Sequence, residues 1–296
     1  MQPSILIVSP VRNEIAHIER VVRAVAAQEL APARWIVVDD RSDDGTLELL
    51  RTLEAEVDFL TVVDRDAATG NGVVRDRLAS APEARNFNFG IELAGWRDYT
   101  HVMKLDGDIE LPPHYLRELI DRFAADPRLG LAGGVLIEPM PGGAVRAIKI
   151  ARNHVHGALK LYTRECLERI GGIQERLGWD TIDETYARMR GFTTYSFPDL
   201  VSMHLRPIGS ADGTLRGHAR HGECAYISHY TPTFVALRAL KVGRRRPAVL
   251  SGLAFVYGFA RAHARHVERV PDGEYRRFTH RELRGRLLRG ARGAWP

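Results

Sequence analysis

Two aspartates, Asp106 and Asp108, follow a short apolar run in the segment MKLDGDIEL, residues 103–111. Carboxylates this close repel each other, so the pair costs free energy unless a positive charge lies against it. A hard divalent cation such as Mg²⁺ or Mn²⁺ prefers oxygen ligands and could join both carboxylates to a diphosphate. The pair therefore indicates a metal site, although the pattern D-x-D alone is weak because it also occurs by chance.

Two further polar clusters follow apolar runs nearer the N-terminus. ILIV (5–8) leads into PVRNE (10–14), and WIVV (35–38) leads into Asp39 and Asp40. Each cluster alone is also compatible with turn residues or helix caps. If the apolar runs are parallel strands, the three clusters meet at the edge of the sheet where α/β proteins bind ligands.

The periodicity of the chain predicts such a sheet. Apolar runs predict strands at 5–8, 35–38, 59–63, 101–105 and 129–137, and TYSF (194–197) is a further predicted strand. Helical spacing predicts helices at 13–27, around Leu47–Leu53, at 83–94 and at 112–125, with a loop at 66–82. This alternation predicts a doubly wound, mostly parallel, Rossmann-like α/β sheet with flanking helices. No G-x-G-x-x-G follows the first strand, so a dinucleotide-type phosphate cradle is not expected.

The overall composition is that of a globular protein, with 45% hydrophobic and 27% charged residues in a chain of 296. The two cysteines, Cys166 and Cys224, are far apart, which excludes a disulfide framework and a C-x-x-C metal site. The N-terminus lacks the pattern of a signal peptide, and no stretch reaches the roughly 18 apolar residues of a membrane span. We therefore expect a cytoplasmic protein.

Charge is distributed unevenly along the chain. Residues 241–296 carry 14 Lys or Arg and 4 Asp or Glu, a net charge of +10, so residues 1–240 carry −5. This basic C-terminal segment predicts binding to a polyanion such as nucleic acid or anionic lipid. A solvated, arginine-rich helical surface is the alternative. Residues 248–265 begin with about 13 largely apolar residues, too short a run to span a membrane. They predict a buried helix or one that lies in the membrane interface.

Four segments together resemble the inverting glycosyltransferases of family 2, which have the GT-A fold. They are PVRNE (10–14), VVDDRSDDGT (37–46), ARNFNFGIELA (84–94) and LDGDIEL (105–111). Each motif is modestly specific, and the ordered set is much more so. The resemblance covers roughly residues 4–205.

The resemblance implies a domain organisation. It predicts a GT-A catalytic domain at residues 1–205, with a nucleotide-sugar-binding half at 1–110 and an acceptor-binding half at 111–205. A basic, helical C-terminal extension at 206–296 would follow. The segment 146–166 is rich in His, Arg and Lys. It would lie on the acceptor side and suit an anionic acceptor, although a solvated helix face explains it equally well.

The resemblance also implies which residues bind the donor. The nucleotide-binding residues would be Pro10, Arg12, Asn13, Glu14, Asp40, Arg85, Lys104, Asp106 and Gly107. Arg85 would lie near the diphosphate, with a plain surface arginine as the alternative. Asp108 and His204 would hold Mn²⁺ or Mg²⁺, although a lone histidine is more often a packed or capping residue.

The catalytic base is expected in residues 178–192, GWDTIDETYARMRGF. Aligned with the family's G-E-D segment, Asp180 takes the position of the base, and Trp179 replaces the usual glutamate. Asp183 and Glu184 are alternatives that a small shift would bring into the role. They could instead be acids that stabilise a helix N-terminus.

The resemblance thus implies a metal-dependent, inverting glycosyltransferase that moves a hexosyl or deoxyhexosyl group. The donor would be a nucleotide diphosphate sugar, with a UDP-sugar favoured. The acceptor would be a glycan or lipid-linked hydroxyl in cell-surface polysaccharide or glycolipid synthesis. The enzyme could be peripheral on the inner face of the cell membrane.

Two other functions remain open on the sequence: a non-catalytic nucleotide-sugar-binding protein and, with less support, a nucleotidyltransferase. Nucleotidyltransferases usually have a glycine-rich loop after the first strand, and SPVRNE (9–14) contains no glycine. A nucleic-acid partner is not expected, because it would explain the basic end of the chain but not the acidic strand edge.

Overall fold

The computed structural model describes residues 3–65, 81–206, 213–244 and 247–289. The chain divides into two compact units, Met1–Pro207 and Ile208–Pro296. Most of the predicted loop at 66–82 lies outside the described residues, which resume at residue 81.

The first unit alternates strands and helices in its N-terminal half. Its strands are β1 (Ile5–Val11), β2 (Arg34–Asp39), β3 (Leu60–Asp64), β4 (His101–Leu105), β5 (Ile109–Glu110), β6 (Leu129–Pro139), β7 (Val145–Ala147), β8 (Leu159–Thr163) and β9 (Thr193–His204). Its helices are α1 (Ile18–Ala26), α2 (Thr46–Glu54), α3 (Pro82–Ala94), α4 (Tyr115–Ala125), α5 (Arg164–Ile170) and α6 (Trp179–Met189). The predicted α/β class is confirmed by this order.

The strands form one sheet in the order β3-β2-β1-β4-β8-β6-β9-β5, with β7 paired to β6. The first four strands in this order are parallel. Beyond them β8 is antiparallel to both β4 and β6, and β9 returns parallel to β6. The predicted doubly wound sheet is present, with β8 inserted antiparallel between β4 and β6 and with β5 and β7 also antiparallel to their neighbours.

The core lies on both faces of this sheet because β1 is apolar on both faces. Ile5 and Ile7 belong to one buried cluster, which also contains residues of α1 and α4, whereas Leu6 and Val8 belong to a second cluster with Phe87 of α3. A strand buried on both faces reads as a continuous apolar run, which is what ILIV is. Helices pack on both faces of the sheet and so hold the ends of its strands in fixed relative positions.

Two predicted helices begin later than their patterns indicated. The helix predicted at 13–27 begins at Ile18, because Asn13 has a φ of +56° and residues 13–17 form a loop. The helix predicted at 112–125 begins at Tyr115, after the proline pair. The first difference lengthens the loop that follows β1 at the ligand-binding edge, whereas the proline pair contacts Gln28 and Glu29, in the segment that leads into β2.

The second unit is helical in its described residues. It contains α7 (Thr214–Ile227), α8 (Pro232–Val242), α9 (Leu250–Ala264) and α10 (Gly273–Arg289). Helices α7 and α9 pack closely through glycine: a Cβ on Gly222 would lie 1.9 Å from the Phe255 carbonyl oxygen. None of the described helices is both long enough and apolar enough to cross a membrane.

Candidate active site

The parallel strands bring the three polar clusters to one edge of the sheet. Val11 of β1 lies beside Asp39 of β2, and Val8 lies beside Lys104 of β4. The segments that follow β1, β2 and β4 therefore leave the sheet on the same side. This places PVRNE, Asp40 and the Asp106–Asp108 pair along one edge, as the sequence pattern indicated.

Strand β9 brings His204 to this edge from far along the chain. His204 lies opposite Ile109 of β5, and its Nε2 lies 3.2 Å from Asp108 Oδ2. Burial acts to raise the pKa of Asp108, but the hydrogen bond and charge of His204 outweigh it and lower that pKa. Burial likewise acts to lower the pKa of His204, and Asp108 raises it overall. The two predicted metal ligands are thus neighbours, and His204 Nδ1 is buried with no hydrogen-bond partner among the described residues.

Arg206 is a residue of this edge that sequence reasoning missed. Its Nη2 donates to Glu14 Oε2 at 2.6 Å, and its Nε lies 3.9 Å from Asp108 Oδ2. Arg206 follows His204 by two residues, and two-residue spacing in extended chain places side chains on one face. That spacing was the signal that could have identified it.

Gly107 allows the loop after β1 to approach the Asp106–Asp108 pair. A Cβ on Gly107 would lie 3.0 Å from Val11 Cγ2 and 3.3 Å from Glu14 Cγ. Both distances are shorter than ordinary carbon–carbon contacts. A side chain at position 107 would push Glu14 away from Asp108.

Glu14 gives the edge a pH dependence. The Glu14 pKa is raised from 4.5 to about 7. Burial is the largest cause and the charge of Asp108 is the second, whereas Arg206 acts to lower this pKa. The folded state therefore binds this proton more tightly, so the contribution of Glu14 to the free energy of unfolding is greatest below pH 4.5 and is lost as the pH rises through about 7. We expect a fall of about 3 kcal/mol from this group.

Glu14→Gln should flatten the curve of unfolding free energy against pH between about 4.5 and 7. Urea unfolding at several pH values, with the exposed Glu48→Gln as control, measures it. If Glu14→Gln and wild type lose the same stability over this range, the raised pKa is wrong.

The predicted nucleotide-binding residues fall into two groups. Asp40 accepts a hydrogen bond from the buried Asn86 of α3, and Arg12 Nη1 donates to the Asp40 carbonyl oxygen at 3.5 Å. Asn13, in contrast, exchanges hydrogen bonds of 2.8 and 3.0 Å with Asp43. Its amide therefore joins the loop that follows β1 to the loop that follows β2. Asn86 was not anticipated, although it lies within the quoted segment ARNFNFGIELA.

Arg85 and Pro10 complete the predicted nucleotide-binding set. The Arg85 Nε lies 3.6 Å from Glu175 Oε2, an exposed ion pair near the start of α3. Pro10 lies next to Val38 of β2 in the parallel ladder. Pro10 thus belongs to the strand edge, whereas Arg85 is held by Glu175.

Trp179 connects the strand edge to helix α6. The Lys104 ammonium lies 5.1 Å from the centre of the Trp179 ring and donates a hydrogen bond to Asp106. Glu83 of α3 accepts a hydrogen bond from the Trp179 side chain. The tryptophan that replaces the family's usual glutamate is therefore a packed link between β4, α3 and α6.

The three candidate bases differ sharply in their surroundings. Asp180 is half-buried, and its carboxylate makes no hydrogen bond or ion pair with any described residue. Asp183 is 2% exposed and accepts hydrogen bonds from Lys160 and Tyr162. Glu184 is also buried and accepts hydrogen bonds from His154 and the Val155 amide. Asp180 alone of the three has a carboxylate left for a substrate.

Asp180 and Asp106 flank the same short piece of backbone. A Cβ on Gly157 would lie 3.2 Å from Asp180 Cβ, and the Asp106 amide donates to the Ala158 carbonyl at 2.8 Å. The Lys160 ammonium also donates to the Asp180 carbonyl oxygen. The predicted base and the Asp106–Asp108 pair therefore lie on adjacent parts of one site.

The basic segment 146–166 is partly internal. Lys160 is completely buried, where the charges of Asp183 and Glu184 overcome the effect of burial and raise its pKa. Arg146 bonds to the buried Glu138. These side chains neutralise carboxylates of the protein itself, so the segment presents less positive charge to an acceptor than its composition indicated.

Asp108 and His204 are two side chains of types that can ligate a metal ion. Among the described residues no set of three or more His, Cys, Asp and Glu side chains is arranged to hold a metal ion. A carboxylate and an imidazole that face each other at 3.2 Å leave further coordination positions to a ligand or water. This donor set therefore fits a cation that is bound jointly with a substrate, rather than a closed structural site.

The family model described as "Glycosyl transferase family 2" matches residues 6–165, more than half of the chain. The match includes all three strand-end clusters. The chain belongs to glycosyltransferase family 2. It is therefore a glycosyltransferase, as the sequence motifs indicated, and the assignment favours glycosyl transfer over the nucleotidyltransferase alternative. Asp180 and His204 lie beyond the matched residues, so the match does not bear on their predicted roles.

Individual relatives of this glycosyltransferase are distant. The curated protein "Glycosyltransferase AglE" of Haloferax volcanii is 24% identical over 225 residues, which cover 70% of this chain and 69% of AglE. Mannosyltransferase PcManGT from Pyrobaculum calidifontis, solved with GDP-Man and Mn²⁺, is 20% identical with a TM-score of 0.57. That alignment covers 97% of this chain and 81% of PcManGT.

TarS of S. aureus is a further structural neighbour, 15% identical with a TM-score of 0.51. The alignment covers 88% of this chain but only 43% of that TarS chain. Other TarS structures contain UDP or UDP-GlcNAc. At these identities the structural likeness establishes the fold, and it confirms the predicted GT-A architecture.

Proposed function

We propose that this glycosyltransferase transfers a hexosyl or deoxyhexosyl group from a nucleotide diphosphate sugar to an acceptor hydroxyl, with inversion at the anomeric carbon. One observation carries the proposal: the half-buried carboxylate of Asp180, which makes no hydrogen bond or ion pair with the described residues, adjoins the edge that holds Asp106, Asp108 and His204. An inverting transfer needs a base on one side of the sugar and groups that receive the diphosphate on the other.

The donor side consists of the strand-edge residues. Carboxylates accept hydrogen bonds from ribose hydroxyls or the base edge. Glu14 and Asp40 carry this role in the proposal, with Arg12, Asn86 and the backbone of Pro10 around them. The neighbours solved with GDP-Man, UDP and UDP-GlcNAc support this donor class. A UDP-sugar and a GDP-sugar are the first donors to test.

Asp108 and His204 would hold the divalent cation, Mn²⁺ or Mg²⁺. The Mn²⁺ in the mannosyltransferase neighbour supports this choice. When bound, the cation offsets the negative charge that the diphosphate gains as it leaves. Asp106 contacts ribose or a cation-bound water in this proposal. Lys104, which donates a hydrogen bond to Asp106, keeps that carboxylate in place.

Asp180 acts as the general base of the proposed reaction. It takes the proton from the acceptor hydroxyl as the oxygen attacks the anomeric carbon from the face opposite the diphosphate. Lys160 donates to the Asp180 backbone carbonyl and so holds the first turn of α6 in place. Asp183 and Glu184 serve this turn as partners of Lys160 rather than as bases.

The proposal names the acceptor by its chemical class. A glycan or lipid-linked hydroxyl on the 111–205 side, in cell-surface polysaccharide or glycolipid synthesis, fits the family and the partly basic 146–166 segment. The 206–296 extension would hold the enzyme peripherally at the inner face of the cell membrane. Nucleic acid remains an unexpected partner, because the ligand-binding edge is lined with carboxylates.

Nucleotide-dependent thermal stabilisation tests the donor site. The melting temperature of the wild-type protein should rise by several degrees with one of UDP, GDP, dTDP or CDP in the presence of Mn²⁺. A ligand that binds only the folded state raises stability by mass action. Asp108→Ala should lose the Mn²⁺-dependent part of that gain, whereas the exposed Asp121→Ala should keep it.

The outcomes separate the candidate functions. No stabilisation by any nucleotide with or without Mn²⁺ would make the strand-edge carboxylates structural. Stabilisation by a nucleotide without release of nucleoside diphosphate from any matching sugar donor would favour the non-catalytic nucleotide-sugar-binding protein.

A further inference from the structure

Exposed apolar side chains are concentrated on two helices of the second unit. Seven large apolar residues between positions 237 and 257 are exposed: Leu237, Leu240, Val249, Leu250, Leu253, Val256 and Tyr257. Leu253 and Tyr257 are 59% and 60% exposed, and Leu240 is 66% exposed. Scattered exposed apolar residues are normal, but a contiguous group of this kind marks a surface that binds something apolar.

Helix α9 differs from an ordinary surface helix because it buries small residues and exposes large apolar ones. Its buried face consists mainly of the small residues Ser251, Gly252, Gly258 and Ala262, with Phe255 as the one large side chain. Its large aliphatic residues point the other way. A surface helix of a water-soluble protein normally turns its large apolar residues toward the core.

The small residues allow helices α7, α8 and α9 to pack backbone against backbone. A Cβ on Gly258 would lie 1.8 Å from the Ala219 carbonyl oxygen of α7. A Cβ on Gly252 would lie 2.6 Å from the Ala239 carbonyl oxygen of α8. Close packing through small residues is the pattern of helices whose outer faces meet lipid. The second contact also holds the exposed face of α8 beside that of α9.

The segment that forms this surface carries only positive formal charge. Residues 232–265 contain seven Lys or Arg and no Asp or Glu. Lys241 and Arg244 are exposed at the C-terminal end of α8, and Arg261 and Arg265 are exposed in the last turns of α9. An apolar stripe bordered by basic side chains matches the boundary between acyl chains and anionic headgroups.

We propose that the exposed face of α8 and α9 docks in the plane of an anionic phospholipid bilayer, with its aliphatic side chains among the upper acyl chains. The face is defined by Leu237, Leu240, Leu250, Leu253 and Tyr257. The basic residues at its two ends bind phosphate headgroups. This identifies the surface responsible for the membrane attachment in the proposed function, and it does not require that glycosyl transfer takes place.

Vesicle co-sedimentation of the full chain tests the docking face. The wild type should pellet with vesicles of equimolar phosphatidylglycerol and phosphatidylcholine at low salt and much less with pure phosphatidylcholine. Binding should weaken as salt rises, because screening shortens the reach of the basic residues. The triple variant Leu250→Ser, Leu253→Ser and Tyr257→Ser should bind at least tenfold more weakly, since each buried methylene contributes to the partition.

A charge variant tests the second part of the surface. Lys241→Glu with Arg244→Glu should weaken binding to the anionic vesicles by well over tenfold, since each basic residue near such a surface contributes about a fivefold factor. The control is a double variant, Arg117→Glu with Arg128→Glu, whose positions lie in and just after α4. It changes the net charge by the same amount and should bind the vesicles like the wild type. Leu93→Ser, at a 51% exposed leucine of α3, is the apolar control.

Three results would overturn the proposal. The wild type could stay in the supernatant with both vesicles at low salt. The apolar and charge variants could pellet as well as the wild type. The triple variant could convert a dimer into a monomer, by light scattering, in a protein that does not bind vesicles; the face would then bind a second copy of the chain. Nucleotide stabilisation, measured on the same preparations, reports the donor site separately.

Discussion

Replacement of Asp180 by asparagine should lower kcat by about 10²–10⁴-fold, the usual contribution of a positioned general base. Asparagine has nearly the same shape but does not accept a proton at neutral pH. Donor binding should change little, because the proposed nucleotide-binding residues lie at the strand edge and on α3, not on α6. Steady-state kinetics with the donor that stabilises the protein would measure both quantities.

Asp183→Asn is the informative comparison for this prediction. Asp183 is enclosed and bonded to Lys160, so its replacement should reduce stability, with a smaller loss of kcat in the fraction that remains folded. If Asp180→Asn keeps near-normal turnover and Asp183→Asn does not, the base is Asp183 and the proposed assignment is wrong.

Replacement of Lys160 by methionine should lower the free energy of unfolding by about 3–5 kcal/mol, the cost of removing one partner from a buried ion pair. Lys160 is completely buried, 2.9 Å from Asp183 and 3.2 Å from Glu184. Methionine fills most of the volume but removes the cation beside Asp183 and leaves Glu184 with His154 and Arg188. Urea unfolding at neutral pH would measure the loss.

The exposed Lys149→Met is the matched control and should change stability by less than about 0.5 kcal/mol. A second readout separates packing from charge. The loss in Lys160→Met should shrink when Asp183→Asn is introduced as well, because one unpaired charge is then gone. A loss of less than 1 kcal/mol in Lys160→Met, or no coupling between the two sites, would show that the network contributes little.

The parts of the site that could be predicted from sequence are those in which a short motif sits at a strand end. Asp106 and Asp108 follow β4 directly, and Asp40 follows β2, so the parallel order of the strands was enough to bring them together. The order itself was readable because ILIV, WIVV and HVMKL are apolar runs separated by helical patterns. The C-terminal half of the sheet was less predictable, since the insertion of β8 between β4 and β6 depends on long-range pairing.

Residues held by partners far along the chain could not be predicted. Arg206 bonds to Glu14 across 192 positions, and Lys160 to Asp183 across 23. Lys160 lies in LKLYT, and nothing local indicates whether such a lysine points to water or to a buried carboxylate. For the same reason the 146–166 segment suggested an anionic acceptor, whereas part of its charge is matched inside the protein.

Release of nucleoside diphosphate from UDP- and GDP-sugars, with and without Mn²⁺, is the measurement that addresses the proposed function most directly. The wild type should release diphosphate from one donor in the presence of the cation and faster with an acceptor present. Asp108→Ala should abolish the release, and Asp121→Ala should not affect it. Equal release by wild type and Asp108→Ala, or release that is independent of the strand-edge residues, would contradict the site described for this glycosyltransferase.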